Sequence, residues 1–216
     1  MNRGLFITFE GVEGSGKTTQ ARLLAQWLEK EGLPFILVRE PGGTLVSEKI
    51  REILLSTQNN IHPRCEVLLF LAARSQLVYE KILNAIREKK IVIADRFSDS
   101  TFAYQVFGRG LPKRLISIFN RFACAGLKPD LTFLVDIDVT QGRNRGKFLD
   151  RMETQNEMYH QKVREGYLKL AKRAKKRIKV LNGEKSVEEL HREVVDYVKD
   201  LLKRKAYKIP TLNLPL

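Results

Sequence analysis

The sequence predicts an α/β fold in which a five-stranded parallel sheet lies between two layers of helices. Five short apolar segments alternate with longer segments whose apolar residues recur at helical spacing. The segment Ile91–Ala94 shows no polar alternation, which is typical of a parallel strand covered on both faces. Strands that alternate with helices in this way predict right-handed βαβ units and three layers.

The predicted elements follow one another without internal repeats. The strands are predicted at residues 5–9, 33–38, 91–94, 131–135 and 178–181. The helices are predicted at residues 20–29, 45–55, about 65–89, 98–106, 112–125, 159–172 and 187 to about 203. Ser186 and Glu189 have the spacing of a capping box, which supports the start of the last helix.

The chain of 216 residues is long enough for one α/β domain with a full core. We expect a single domain over residues 1–204, with a short lid at about 138–153 and a basic, proline-containing tail at 205–216. No stretch approaches the roughly 18 apolar residues that cross a bilayer, and the first strand leaves no room for a signal peptide. The sequence therefore predicts a cytoplasmic protein with no membrane partner.

The balance of 39 Lys and Arg against 25 Asp and Glu gives a net charge of +14. Basic chains bind nucleic acids, membrane surfaces or small polyanions such as nucleotides. The run 169–179 is strongly basic, but a solvated helix face explains it, and it lacks the aromatic residues that stack on bases. Cys65 and Cys124 lie among apolar residues and predict reduced core thiols.

The first strand leads into a Gly-x-x-x-x-Gly-Lys-Thr motif and then into a helix. Glycines let backbone N–H groups curl around a phosphate, and the helix start adds partial positive charge. Lys17 is expected to reach the β and γ phosphates of ATP, and Thr18 to bind Mg²⁺. The predicted ATP-binding residues of this P-loop are Gly11, Val12, Glu13, Gly14, Ser15, Gly16, Lys17, Thr18 and Thr19.

The third strand delivers Asp95 and Arg96 to the sheet edge where ligands of open α/β sheets collect. An apolar strand that ends in aspartate predicts the second Mg²⁺ ligand beside Thr18, although a simple helix cap is the alternative for Asp95. The mononucleotide P-loop excludes a dinucleotide-binding Rossmann fold. The sequence also lacks the Asn-Lys-x-Asp motif of GTPases, which leaves a small kinase.

Two groups of arginines fit a kinase. Arg39, Arg51, Arg74 and Arg96 predict a second anion pocket opposite the P-loop. The segment 138–153 has few large apolar residues and is predicted to be a mobile lid, with cations at Arg143, Arg145, Lys147 and Arg151. Such a lid would neutralise charge on the transferred phosphoryl group and exclude water.

Four motifs, in their order and separations, closely resemble those of bacterial thymidylate kinases. They begin at Phe6 (FITFEGVEGSGKTTQ), Arg39 (REPGGT), Asp95 (DRFSDSTFAYQ) and Pro129 (PDLTFLVD). The resemblance covers roughly residues 4–202. It implies Mg²⁺-dependent transfer of the γ-phosphoryl group of ATP to dTMP, giving dTDP and ADP, and it implies a homodimer packed through helices beside the substrate site.

The resemblance also assigns roles to single residues. It implies that Phe70 stacks on thymine, that Arg74 donates to its carbonyl oxygen and that Tyr104 lies under the deoxyribose. The dTMP-binding set it implies is Glu13, Arg39, Arg51, Phe70, Arg74, Arg96, Ser100, Thr101, Tyr104 and Gln105. The implied catalytic set is Glu13, Lys17, Arg96 and the lid residues Arg143, Arg145 and Arg151.

Some positions depart from the family pattern. Ala73 replaces an aspartate, Val106 replaces a glycine, and Val12 stands where some relatives carry arginine. By themselves Phe70 and Tyr104 would be core residues, and a solvated loop acid is the alternative interpretation of Glu13. Another nucleotide or nucleoside kinase, or a nucleic-acid-binding ATPase that uses the basic C-terminal third, are the alternative functions.

Overall fold

The structure, a computed structural model, describes residues 3–145 and 150–207. Within them the five predicted strands are confirmed as β1 (Phe6–Glu10), β2 (Phe35–Arg39), β3 (Ile91–Asp95), β4 (Leu131–Asp136) and β5 (Ile178–Asn182). All neighbouring strands are parallel, and their order is β2-β3-β1-β4-β5. The predicted fold class, a three-layer α/β P-loop fold, is confirmed.

The helices of the described residues are α1 (Lys17–Lys30), α2 (Leu45–Leu55), α3 (Pro63–Leu77), α4 (Leu83–Arg87), α5 (Ser98–Thr101), α6 (Lys113–Ala123), α7 (Val139–Arg145), α8 (Glu157–Arg173) and α9 (Val187–Arg204). The single helix predicted over 65–89 is α3 and α4 joined by the π-helical segment Val78–Ile82. The helix predicted at 98–106 is α5 followed by the π-helical segment Phe102–Gly108.

Alternate side chains of the central strand, β1, lie on opposite faces of the sheet. Ile7 and Phe9 of β1 pack with α1 and α9, whereas Phe6 packs with the α3–α4 layer. Both faces of β1 are therefore buried, which explains its continuous apolar character.

The register of the sheet brings the site residues to one edge. Phe9 pairs with Asp95 across β1 and β3, and Glu10 pairs with Leu134 across β1 and β4. Because all strands run the same way, their carboxyl ends meet, and the P-loop, the β2–α2 loop and the β3–α5 loop converge there.

Cys124 is buried as predicted, but the prediction for Cys65 is wrong, because this residue is exposed in the first turn of α3. Of the apolar residues that follow it, Val67 and Leu71 face the core, whereas Leu68 is exposed.

Residues 208–216 of the predicted tail lie outside the described residues. Lys147 of the predicted lid also lies outside them.

Candidate active site

The P-loop turn follows β1 and leads directly into α1, with Gly16 as the residue before the helix. Gly14 and Gly16 have φ values of 69° and 92°, a region that side chains with a Cβ rarely adopt. The hydroxyl of Ser15 is buried and has no hydrogen-bond partner among the described residues. A phosphate oxygen would satisfy this hydroxyl and the free N–H groups at the start of α1.

Glu13 lies at the centre of the polar contacts around the P-loop. Its Oε2 atom accepts from Lys17 Nζ at 3.2 Å, and its Oε1 atom accepts from Tyr104 at 3.0 Å and from Arg96 Nη2. Burial raises the pKa of Glu13, but the charges of Arg96 and Lys17 outweigh it and lower the pKa to about 2. Glu13 is therefore ionised and holds both cations beside the loop.

Thr18 and Asp95 meet at the sheet edge as the sequence predicts. The Thr18 hydroxyl donates to Asp95 Oδ2 at 2.5 Å. The other carboxylate oxygen, Oδ1, is buried with no hydrogen-bond partner in the described part of the chain. No group of three or more potential metal-binding His, Cys, Asp or Glu side chains occurs among the described residues. A cation here would therefore take its remaining ligands from phosphates and water.

A group of arginines lies across from the P-loop. Arg39 and Arg51 both donate to the carbonyl oxygen of Pro41, at 3.2 and 2.9 Å. Burial and the nearby charge of Arg39 lower the pKa of Arg51, and Arg96 adds to this effect. Cations that repel one another in this way favour binding of an anion between them.

The P-loop and these arginines open into one cavity of about 390 Å³. Phe70 of α3 and Tyr104 form part of its wall together with Leu55 and Met152. The predicted site residues that line it are Glu13, Lys17, Thr18, Arg39, Arg51, Phe70, Arg74, Asp95, Arg96, Ser100, Thr101, Tyr104 and Gln105. The cavity thus joins the phosphate loop to an aromatic wall.

Arg74 lies in this wall, and the protein already uses its donors. Its guanidinium group contacts Glu40 at 2.6 and 2.7 Å and donates to the carbonyl oxygen of Phe97 at 3.0 Å. Its Nη1 atom donates to Thr101 Oγ1 at 2.5 Å and to Asn120 at 2.7 Å. Because Thr101 accepts from Arg74, its own hydroxyl hydrogen is available to donate towards the cavity.

The three lid arginines occupy different environments. Arg143 donates to the carbonyl oxygen of Gln155 at 3.2 Å, and Arg145 donates to that of Gly183 at 2.9 Å. Arg151 is buried instead, where it donates to Glu66 at 2.7 Å and to the carbonyl oxygen of Leu54 at 2.8 Å. In this conformation Arg151 anchors the end of the lid, and none of the three lines the cavity.

The helix α7 rests directly on the P-loop. A Cβ atom on Gly14 would lie 1.9 Å from the carbonyl oxygen of Gly142, and one on Gly142 would lie 2.5 Å from that of Glu13. These two glycines permit a close approach of the backbones that side chains would prevent. The lid therefore begins in contact with the loop that would hold the donor phosphates.

The sequence interpretation missed several residues of the site. Glu66 is fully buried and accepts from Gln105, Arg109 and Arg151, and Glu10 lies buried behind Arg96. An acidic residue inside an otherwise apolar strand or helix was the available signal, because such a residue stays buried only with partners. Asp150, Met152 and Glu153 also line the cavity; they lie within the segment predicted as the lid, but no pattern in the sequence marks them singly as site residues.

Fold and site together define a P-loop enzyme that transfers phosphoryl groups to a small acceptor. A sequence model of the family described as thymidylate kinase matches residues 9–194. Thymidylate kinase of Caldanaerobacter subterraneus subsp. tengcongensis is 47% identical over 203 residues, which cover 93% of this chain and 98% of the relative. That of Kosmotoga olearia is 45% identical over 194 residues, which cover 88% of this chain and 93% of the relative.

A crystal structure of thymidylate kinase from Ehrlichia chaffeensis superimposes with a TM-score of 0.75 at 35% identity, covering 90% of this chain and 98% of that one. The chain belongs to the thymidylate kinase family. The predictions of a kinase, and of thymidylate kinase in particular, are confirmed. Among the described helices, none is both long and apolar enough to span a membrane.

Proposed function

We propose that the cavity binds dTMP with its phosphate towards Lys17 and its base against Phe70, and that the P-loop presents ATP to it. The observation that supports this arrangement is that one cavity joins Lys17 and Arg96 to the rings of Phe70 and Tyr104. A pyrimidine nucleotide has the same polarity, an anion at one end and a flat ring at the other.

The donor binds through the P-loop. Backbone N–H groups between Gly11 and Thr18 surround the β and γ phosphates of ATP, and Lys17 leaves its contact with Glu13 or shares it with the γ phosphate. Ser15 supplies a further donor, because its buried hydroxyl has no partner among the described residues. Val12 lies within this loop, and Thr19 follows it.

Thr18 and Asp95 fit a magnesium ion. The buried Oδ1 atom of Asp95 lacks a partner among the residues that the structure describes, and the Thr18 hydroxyl lies 2.5 Å from the other oxygen. A bound Mg²⁺ would neutralise charge on the phosphates of ATP. The alternative that Asp95 caps the helix after β3 is less suitable. Its hydrogen-bond partner, the hydroxyl group of Thr18, belongs to α1 and not to α5.

The acceptor phosphate binds among Arg39, Arg51 and Arg96. These residues line the cavity, and Arg39 and Arg51 converge on the carbonyl oxygen of Pro41. Arg96 is held by Glu13, so that its charge is fixed at the junction between donor and acceptor. Phosphoryl transfer depends on positioning and charge neutralisation, and this geometry provides both.

The base and sugar bind at the aromatic wall. Phe70 supplies a face for stacking, and Tyr104, fixed by its bond to Glu13, lies where the sugar would pass. Arg74 orients the Thr101 hydroxyl and Gln105 stays bonded to Glu66, so both present defined groups to the base edge. A tyrosine ring beside the sugar would crowd a 2′-hydroxyl and favour deoxyribonucleotides.

The lid completes the site when it closes. Arg143 and Arg145 are the cations that the lid would bring to the transferred phosphoryl group, while Arg151 holds its end to Glu66. Closure would also exclude water and so limit hydrolysis of ATP. The mobility of this segment and the cytoplasmic location of the protein remain predictions.

The experiment that tests the acceptor is a coupled assay with a panel of monophosphates at fixed Mg·ATP. We expect kcat/KM for dTMP to exceed that for dUMP, dCMP, AMP and UMP by at least tenfold. A preference for AMP or UMP would contradict the proposed base and sugar site. Stimulation of ATP hydrolysis by DNA without any acceptor would instead support the nucleic-acid-binding alternative.

We also propose a homodimer that packs through α6. Leu115, Ile118, Phe119 and Phe122 form an exposed stripe on this helix, and 82% of Phe122 is accessible. Leu68 of α3, the helix that carries Phe70, adds to the same side of the molecule through the packing of α3 against α6. An exposed apolar patch of this kind marks an interface.

The oligomeric state can be measured by sedimentation velocity. We expect the wild-type protein to be a dimer and Phe122→Asp to be a monomer, because a charge at the patch centre would have to be desolvated. Val187→Asp, a change at an exposed residue of α9 on the opposite face of the sheet, is the control and should remain dimeric. A monomeric wild-type protein at micromolar concentration would contradict the proposal.

A further inference from the structure

Glu10 is the last residue of β1, and its carboxyl group is completely buried directly behind Arg96. Its Oε1 atom accepts from the backbone N–H groups of Phe97 at 2.9 Å and Ser100 at 3.3 Å. Its Oε2 atom accepts from the Ser100 hydroxyl at 2.6 Å and the Tyr167 hydroxyl at 2.9 Å. A carboxylate offers about four acceptor positions, and all of them are used here.

The same two hydroxyl groups face Arg96. The Nη1 atom of Arg96 lies 3.1 Å from the Tyr167 oxygen and 3.4 Å from Ser100 Oγ. A hydroxyl group that donates to Glu10 turns its lone pairs away from the carboxylate, and those lone pairs can accept from Arg96. The Ser100 and Tyr167 oxygens also lie 2.8 Å apart, so the two hydroxyl groups can bond to each other as well. When Glu10 accepts from both, it determines in which direction both hydroxyl groups point.

The backbone at Arg96 needs this support. Its φ angle is 70°, in the left-handed region that a residue with a long side chain rarely adopts. Such a conformation persists only where the surrounding contacts hold it. Here Glu10 fixes the next residues of the loop through Phe97 and Ser100, while Arg96 N–H donates to the carbonyl oxygen of Phe9 at 2.9 Å.

We infer that Glu10 is a positioning residue for phosphoryl transfer, which holds the guanidinium group of Arg96 against Glu13 through the hydroxyl groups of Ser100 and Tyr167. The ionised carboxylate performs this role, because it accepts both hydroxyl hydrogens. A protonated carboxyl group, or an amide in its place, carries hydrogens of its own, so at least one hydroxyl group gives up its bond to Glu10. That hydroxyl group then donates to the other one, 2.8 Å away, or turns towards Arg96, and either change alters the support of the guanidinium group. The inference rests on the role proposed above for Arg96.

Several charged groups surround Glu10. Asp99 of α5 is paired with Arg177 at 2.6 and 2.9 Å, Arg96 directly follows β3, and the charge of Glu10 also acts on the buried Arg74 of α3. Burial and the charge of Asp99 raise the pKa of Glu10 to about 7, against the opposing effects of Ser100 and Arg96. The change between the two hydroxyl orientations thus falls within the working pH range.

The decisive measurement is the ratio of kcat for wild type to kcat for Glu10→Gln between pH 6 and pH 9. The ratio cancels the ionisation of dTMP and ATP, which both proteins share. We expect it to be near one at pH 6, where wild-type Glu10 is protonated, and to rise about tenfold by pH 8.5. A ratio that does not change with pH, whether it is one or a constant above one, would overturn the inference.

Tyr167→Phe tests the same contact without touching the strand, and Tyr159→Phe is its matched control. Both tyrosines are buried on α8, but the hydroxyl group of Tyr159 donates to the carbonyl oxygen of Tyr104 at 3.5 Å and, among the described residues, makes no hydrogen bond to Arg96. We expect Tyr167→Phe to lower kcat at pH 8.5 about fivefold with the KM for ATP unchanged, and Tyr159→Phe to stay within twofold. This pair also decides the question if Glu10→Gln does not fold, and equal kcat values for the two variants would refute the inference.

Arg96→Lys, measured in parallel, separates this inference from the proposed function. If Arg96→Lys keeps full activity, the proposed role of Arg96 is wrong. If it loses activity while the Glu10 and Tyr167 variants behave as wild type, the role of Arg96 stands and the positioning role of Glu10 alone is refuted.

Discussion

The guanidinium group of Arg96, at the end of β3, is paired with the carboxylate of Glu13 inside the P-loop. The two residues are 83 positions apart in the chain. Their pairing fixes a cation of the acceptor side against the loop that holds the donor. It also leaves Glu13 with three partners, since Lys17 and Tyr104 donate to it as well.

Glu13→Gln should lower kcat about 100-fold, since small displacements of positioning groups cost about this much. The amide keeps the shape of the side chain but loses the charge that holds Arg96 and Lys17. Steady-state kinetics at saturating dTMP and ATP measures the effect. Glu48→Gln, a change at an acid paired with Arg39 outside the P-loop, is the control, and a kcat within threefold of wild type for Glu13→Gln would contradict the prediction.

The stability that Glu13 provides should depend on pH in a defined direction. Its pKa is about 2 in the folded protein against an ordinary value of 4.5, because Arg96 and Lys17 outweigh the effect of burial. A lowered pKa stabilises the fold above pH 4.5, and this contribution is lost as the pH falls towards 2. The unfolding free energies of wild type and Glu13→Gln should therefore converge between pH 4.5 and 2 in urea titrations, and a difference that stays constant over that range would argue against the ion pair.

Asp95→Asn should raise the Mg²⁺ concentration required for half-maximal activity by about tenfold. The amide replaces the buried oxygen that has no partner among the described residues, and it brings N–H hydrogens to a place where a cation would bind. Titration of activity with MgCl₂ at fixed ATP gives the value. Thr18→Ser preserves the hydroxyl group and should remain close to wild type. An unchanged Mg²⁺ requirement in Asp95→Asn would exclude Asp95 as a ligand.

Phe70→Leu should raise KM for dTMP about tenfold with a smaller change in kcat, since stacking on a base contributes roughly 1–3 kcal/mol. The matched control is Phe102→Leu, because Phe102 is also half-buried but packs near Leu71 and Ile116, away from the cavity. Initial-rate measurements over a range of dTMP concentrations give both constants. Equal values of KM for the two variants would mean that Phe70 only fills space.

Alanine in place of each lid arginine should separate catalytic from structural roles. We expect Arg143→Ala or Arg145→Ala to lower kcat more than tenfold, which corresponds to a rise of roughly 1.4 kcal/mol in the activation free energy. Arg151→Ala should instead lower the unfolding free energy by about 3 kcal/mol, because it removes a partner of the buried Glu66. If none of the three lowers kcat tenfold, these arginines do not supply the catalytic cation.

Most of the fold was predictable because its signals are local. The uninterrupted apolar character of Ile91–Ala94 and the helical spacing after Thr19 depend only on neighbouring residues, and both predictions are confirmed. The breaks in the long helices were not predictable. The π-helical segment Val78–Ile82 carries no glycine or proline, and the glycine of Phe102–Gly108 is its last residue, so nothing in the sequence marks where either segment begins, and tertiary packing selects them.

The site was only partly predictable from the sequence. Thr18, Asp95, Phe70 and Tyr104 share one cavity, although their catalytic and binding roles remain proposals. Arg74 and Arg151 are occupied by Glu40 and Glu66, and neither acid was singled out in the sequence. A buried arginine and one in contact with a ligand have the same local pattern, since the difference lies in a partner far along the chain.

The sequence by itself determined the chemistry that is available: a glycine loop that leaves backbone N–H groups free, a lysine and threonine at a helix start, and an aspartate at the end of a buried strand. Each of these depends on residues that are adjacent in the chain. The tertiary structure decided which charges meet, because Glu10, Glu13, Glu40 and Glu66 each find their arginine or hydroxyl partners only through the packing of the sheet and helices. Burial makes these ion pairs and hydrogen bonds necessary, since a charge removed from water must be paired.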